Sequence, residues 1–148
     1  MLSTRSLIND IINHSNRDFS YSISNKIIGN YNLIDWQKDI RTGFRWSNLT
    51  YYTDIVYGNN AGVDIKNVWE LGRLNHLIIL VYAYKISNEE KYLIEVINQI
   101  YDFTAFNPPK YGVQWSSAMD VALRVINLCI LMSLIGTEIK IKLKMFPL

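Results

Sequence analysis

Residues 64–77, running on into 78–84, constrain this chain more than any other stretch. The stretch opens polar and aromatic and then turns apolar. Trp69, Arg73 and His76 fall at i, i+4 and i+7, with Glu70 three residues before Arg73. In a helix these positions share one face of the first two turns, so a ring, an acid, a base and an imidazole gather there. From Leu77 to Tyr84 only tyrosine hydroxyls interrupt the hydrocarbon. A helix apolar on every side is covered on every side. The pattern predicts a central helix over about residues 67–86, N-capped by Asn67, with a decorated start. That start is either a site or a buried network that satisfies itself.

Two further helices follow. Ser87-Asn-Glu-Glu90 reads as a capping box that opens a helix over about residues 88–106. Leu93, Val96, Ile97, Ile100 and Phe103 form its apolar stripe. Lys91, Glu95, Asn98, Gln99 and Asp102 form the opposite one, which is expected to face water. This predicts an outer helix packed antiparallel on the central one. Asn107-Pro108-Pro109 ends it, since proline cannot donate to the helix ladder. A second decorated loop, with Gln114 and Trp115, leads to a helix over about residues 117–135. That helix is apolar except for Ser117, Asp120, Arg124 and Asn127, which share one stripe. Asp120 and Arg124 form a favourable i, i+4 pair. Gly136 is expected to end the helix, and the alternating residues 137–148 suit either an edge strand or a frayed end.

Upstream, Leu2, Leu7, Ile8, Ile11 and Ile12 make an amphipathic stripe and predict a short helix over residues 1–14. Residues 16–32 read as loop with one turn near 25–28. Residues 35–46 alternate aromatic and charged groups without a regular period, so Trp36 and Trp46 are either hydrophobic clasps or ligand contacts. Residues 48–62 continue irregularly to a turn at 58–60. The expectation is one all-α domain over 1–148: a helix and irregular wrap over 1–63, three helices over 64–135, and a tail over 136–148.

The 148 residues are 49% hydrophobic, 13% aromatic and 19% charged, with a net charge of +2, which describes a globular chain with no nucleic-acid footprint. The single cysteine, Cys129, excludes an internal disulfide and reads as a small buried hydrophobe. Only His14 and His76 could contribute imidazoles, so neither a metal site nor a cofactor is expected. Asn9, Asp10, Asn13 and His14 interrupt any export signal, and the apolar run over 125–135 falls short of the roughly 20 residues that span a bilayer. A soluble, cytoplasmic protein without membrane partners is the expectation.

Several pieces then stand in a familiar order. These are Asp35-Trp36 and Gly43-Phe44-Arg45-Trp46, then Asp64-Ile-Lys66, Trp69-Glu-Leu, Arg73 and His76-Leu77. Ala83-Tyr84, Glu90-Lys-Tyr92, Asn107-Pro108, Gly112-Val-Gln-Trp115 and Met119-Asp-Val-Ala-Leu-Arg124 follow. Over about residues 32–134 the set resembles the N-terminal domain of the heparinase II/III-like polysaccharide lyases. Gln114 stands where that family usually carries Asn, and the Lys-rich tail departs from it.

The resemblance implies an incomplete α/α toroid in which inner and outer helices alternate around a cleft for an acidic polysaccharide. It implies β-elimination on a uronic acid sugar, in which the carboxylate is neutralised, a Tyr or His takes the C5 proton and a Tyr protonates the leaving oxygen. The family's catalytic Asn, Tyr and His lie mostly farther along the chain. The expectation is therefore a truncated member, inactive alone, with no catalytic residue here. Its inner helices would be parallel, bringing the Trp69/Glu70/Arg73/His76 stripe beside Gln114, Trp115, Asp120 and Arg124.

Those residues are the candidate contacts for a uronate-containing polymer. Arg73 and Arg124 match planar anions and Trp115 offers a stacking face, with Trp69, Glu70, His76 and Gln114 beside them and His76 a further candidate base. The structural alternative pairs Arg73 with Glu70 and Arg124 with Asp120 and packs His76 in the core. A non-catalytic carbohydrate- or partner-binding module is a further reading. A tetratricopeptide-like repeat is disfavoured because helix starts near 67 and 117 do not fit its period of about 34. So few toroid helices leave apolar flanks uncovered, which predicts either instability or association through them.

Overall fold

The computed structural model describes residues 20–145, with side chains described through residue 140. The expected helix over residues 1–14 lies outside them. The framework consists of α1 (Ile65–Gly72), α2 (His76–Ser87), α3 (Glu90–Phe106) and α4 (Ala118–Met145), with single 3-10 turns at Tyr52–Asp54 and Val113–Trp115. Residues 20–24 are also helical. Among the described residues strand pairing is limited to two isolated bridges, Lys38 with Arg45 and Tyr51 with Tyr111. The fold is all-α, as expected.

The central helix is broken in two. Asp64, not Asn67, caps α1: its carboxylate accepts from the Lys66 N–H at 2.9 Å. Asn67 instead donates to Asp39. Between α1 and α2, Leu74 takes the left-handed conformation, with φ at 59°. That conformation costs a branched residue about 1–2 kcal/mol. It also turns the Leu74 side chain inward, where it is 2% exposed, and burial on that scale returns about 1.5–3 kcal/mol. Periodicity across residues 67–86 hid the break because both halves keep one apolar face.

At the other end of α2, Asn88 adopts φ 56° and donates its N–H to the Tyr84 carbonyl at 2.7 Å, a helix stop for which asparagine is suited. Ser87 therefore serves the end of α2, donating to the Ala83 carbonyl, and α3 starts at Glu90 without a side-chain cap. The two-residue turn folds α3 back on α2. Leu77 and Val81 of α2 enclose the core with Leu93, Val96, Ile97 and Phe103 of α3.

The polar stripe of α3 faces water only at its start, where Lys91 is exposed. Asn98, Gln99 and Asp102 are buried. Asn98 clasps Ile28 from both sides, accepting its N–H at 2.7 Å and donating to its carbonyl at 2.8 Å. One Asp102 oxygen accepts from the Ile34 N–H at 2.8 Å and the Tyr31 hydroxyl at 2.9 Å. The irregular segment before residue 40 is thus laid along α3 as a second covering layer. Backbone groups outside helices need partners when buried, and this stripe supplies them. Trp36 packs edge-on against Phe103 at 5.1 Å, and Trp46 against Phe44 at 4.8 Å, so both rings act as clasps.

The last helix runs past Gly136, which does not end it. Ile135 kinks it (φ −137°, ψ 16°), and it continues to Met145 in place of an edge strand. Leu131, Ile135 and Ile139, four apart, keep one buried line through the kink, and Glu138 forms an ion pair with Lys85 of α2. Contacts between the two decorated helices rise together in number: residues 72 and 73 meet 120, 124 and 127, and Lys85 meets Glu138. The α1–α2 line and α4 therefore run parallel, with α3 reversed between them in sequence.

Cys129 is exposed, not buried, because it lies on the outward face of α4. Within Ala118–Lys140 the most apolar 18 residues have a mean hydropathy of 1.9, and 22% of them are buried. By length and composition it could cross a membrane, whereas the apolar run alone falls short.

Candidate functional site

The break after Gly72 leaves carbonyls at the end of α1 without helical partners, and the polar stripe of α4 meets them. The Arg124 Nε donates to the Gly72 carbonyl at 2.5 Å. The Asn127 amide donates to the Arg73 carbonyl at 2.9 Å. A guanidinium at a helix C-terminus also opposes the negative end of the helix dipole. Arg124 further donates through Nη2 to the Gln114 carbonyl at 2.8 Å and to its Oε1 at 3.1 Å. Its plane lies over the Phe103 ring at 4.4 Å and the Trp115 ring at 5.4 Å from the centroids. Burial pulls its pKa down to about 10, partly offset by Asp120, so it stays charged at neutral pH.

Gln114 is the centre of this lock. Its Nε2 donates to the Trp36 carbonyl at 2.6 Å and the Val68 carbonyl at 3.0 Å. Beside it, Gln37 donates to Asn107 at 2.7 Å and accepts the Val113 N–H at 2.9 Å. Two glycines make room. A Cβ on Gly72 would lie 1.7 Å from Gln114 Oε1, and one on Gly112, whose φ is 77°, would lie 2.6 Å from Gln37 Oε1. Residues 112–115 thus fit into the end of α1 only through missing side chains.

Asp39 plays a similar part at the start of α1. Burial pushes its carboxyl up. Hydrogen bonds from the Arg41 N–H, Thr42 hydroxyl, Asp64 N–H and Asn67 amide together outweigh that, and hold it below the ordinary carboxylate value.

The outer part of the lock is more open. Arg73 donates through Nε to Asp120 at 2.7 Å, and its side chain is 27% exposed. Among the described residues its Nη groups make no hydrogen bond beyond this pair. Trp69 donates to the Val113 carbonyl at 2.9 Å and the Ser116 hydroxyl at 3.2 Å, with Tyr57 edge-on at 5.6 Å. Trp115 donates to the Asn107 carbonyl at 3.1 Å and is part-exposed, and Glu70 is exposed.

His76 points elsewhere, toward α3. Gln99 donates its amide N–H to Glu95 at 2.7 Å, which leaves its Oε1 to accept from His76 Nε2 at 2.7 Å. That assignment puts the His76 proton on Nε2.

The two decorated segments lie side by side, but their side chains take different partners from those expected. Arg73 pairs with Asp120 and not with Glu70. Arg124 holds backbone carbonyls and not the Asp120 carboxylate. Gln114 and Arg124, candidate contacts by sequence, are buried at 0% and 4% exposure with their polar groups turned inward. Trp69, Glu70, Arg73 and Trp115 remain reachable, and His76 is partly so. Gln37, Asp39, Gly72 and Asn107 also hold the site. The signal for Gly72 was a glycine inside an apolar helix period, which marks a close approach. Among the described residues no cluster of three or more His, Cys, Asp or Glu could hold a metal ion.

The fold and site define an all-α domain in which two parallel helices are joined by a buried polar lock and share an aromatic, charged rim. Comparison with family models, curated proteins and solved structures gives no match.

Proposed function

We propose that this chain forms the N-terminal part of a heparinase II/III-like α/α-toroid lyase domain, and that its rim receives an acidic, uronate-containing saccharide without itself catalysing elimination. The observation that carries this reading is the parallel pairing of the two decorated helices, closed at the rim by Arg73 and Asp120. Two parallel helices with a reversed one between them in sequence is the repeating unit of such a toroid.

The chemistry of the rim suits an anion. Asp120 fixes one edge of the Arg73 guanidinium, and the exposed remainder can fork onto a carboxylate. Trp69, one helical turn before Arg73, and the part-exposed Trp115 are the stacking faces for a sugar ring. Elimination also needs a free base and an acid at the sugar. His76 is committed to Gln99, so the rim binds and orients but does not abstract a proton.

Glu70 and Arg73 give the test, because they should act in opposite directions. Tryptophan fluorescence titration with heparan-type and alginate oligosaccharides should show tighter binding in Glu70→Gln and weaker binding in Arg73→Gln. The same mixtures should develop no ultraviolet absorbance from unsaturated uronate. Product formation would overturn the non-catalytic reading, and binding that merely follows the folded fraction would overturn the rim.

A further inference from the structure

The outward face of α4 has no use in the rim. Met119, Val125, Ile126, Ile130 and Met132 are 62%, 53%, 54%, 40% and 46% exposed. Ala122, Cys129 and Ser133 are exposed too. At 100° per residue the three small residues run down the middle of this face. Met119, Ile126 and Ile130 form a ridge on one side, and Val125 and Met132 form one on the other. A trough of small residues between two apolar ridges is a surface shaped for another helix. The Ser133 hydroxyl donates to the Ile130 carbonyl of its own helix at 2.7 Å, so the trough presents no unsatisfied donor.

We infer that this face pairs with a second copy of the chain, α4 against α4, antiparallel about a two-fold axis. Three observations choose that occupant. First, the only charged residues from 118 to 137 are Asp120 and Arg124, both buried, so the face meets itself without like charges. Second, the five large apolar side chains of this face leave on the order of 500 Å² exposed, at the upper end of the patches usual on monomers and enough for an interface at the low end of the specific range. Third, Lys140 is exposed at the end of the face. Parallel pairing would set it beside its own copy, and antiparallel pairing sends the two to opposite ends. This inference does not rest on the saccharide reading.

Sedimentation velocity on the full chain at micromolar concentration tests it. The wild-type chain should sediment as a dimer. Ile126→Glu and Val125→Glu should each sediment as a monomer with unchanged helical circular dichroism. Ile40→Glu, at a loop residue 80% exposed, should remain dimeric. Maleimide labelling of Cys129 should be several-fold slower in the wild type than in Ile126→Glu. A wild-type monomer would overturn the inference, as would a dimer that survives both glutamates. So would a wild-type monomer that co-sediments with phosphatidylserine vesicles while Ile126→Glu does not, because the face would then belong to a lipid surface.

Discussion

Replacing Gly72 with alanine perturbs the lock at its tightest point. The new Cβ would lie 1.7 Å from Gln114 Oε1, 2.5 Å from its Cδ and 3.0 Å from its Nε2. The helix backbone on one side and the Val113–Trp115 turn on the other leave the methyl nowhere to go, so Gln114 must move. It is 0% exposed and cannot swing into water. Its displacement breaks the bonds to the Trp36 and Val68 carbonyls and the one it accepts from Arg124. Overpacking costs about 1–3 kcal/mol, and each buried polar group left unpaired costs about 1–3 kcal/mol. A loss of about 4 kcal/mol is expected, a large part of the roughly 5–15 kcal/mol that holds a domain. Intrinsic helix propensity acts in the other direction, by about 1 kcal/mol. Sterics therefore decide the sign.

Urea unfolding followed by circular dichroism should show a sharply lowered midpoint for Gly72→Ala. In Gly72→Ala/Gln114→Ala the clashing group is gone, so the two losses should fall short of adding by more than about 1 kcal/mol. At Gly136 the nearest atom to a new Cβ is Met132 Cε at 3.5 Å, an ordinary contact, and alanine there should be tolerated. A Gly72→Ala variant as stable as the wild type would refute the close approach and the lock with it.

Other perturbations separate the parts of the fold. Burial raises the Asp102 carboxyl above its ordinary value, and hydrogen bonds from Ile34 and Tyr31 only partly oppose this. The folded state then keeps its proton to higher pH than the unfolded chain. The stability this group contributes is full below the unfolded pKa and is lost as pH rises through the raised folded one. Urea midpoints against pH should show that decline in the wild type and not in Asp102→Asn. Asp39 has the opposite sign: its lowered carboxyl stabilises above the ordinary carboxylate value and loses that contribution as pH falls, so Asp39→Asn should flatten the acid limb of the same profile. Arg124→Ala should cost about 3–5 kcal/mol, because it uncovers the carbonyls of Gly72 and Gln114 together. Asn98→Ala should hasten limited proteolysis near Ile28 while thermal unfolding of the helices shifts less, because only the clasp on that segment is lost.

Much of this architecture is written in apolar periodicity. The α3 helix and the apolar character of α2 and α4 follow from residue spacing. What spacing could not show is which polar group answers which. The stripe Asn98, Gln99 and Asp102 has the same period whether it faces water or an irregular strap, and only the strap's unpaired backbone decides between them. Asp120 and Arg124 stand in register for an i, i+4 pair, yet the break at Leu74 offers bare carbonyls and a nearer guanidinium, so the partners are exchanged. That break is itself illegible in sequence, since Leu is among the residues least suited to a positive φ. The tail fails for a related reason. Alternation over 139–143 suits a strand only if a partner strand exists, and the four-residue line from Leu131 to Ile139 carries the helix onward instead.

The four tryptophans supply the most direct measurement of the rim. Trp36 and Trp46 are buried clasps, whereas Trp69, one helical turn before Arg73, and Trp115, against Arg124, are part-exposed. In a ¹⁵N-correlated NMR titration with a uronate oligosaccharide, the indole N–H signals of Trp69 and Trp115 should shift while those of Trp36 and Trp46 stay in place. A neutral oligosaccharide of the same length should move none of them. Shifts confined to Trp36 or Trp46, or equal shifts with the neutral sugar, would contradict an anionic saccharide rim at the junction of α1 and α4.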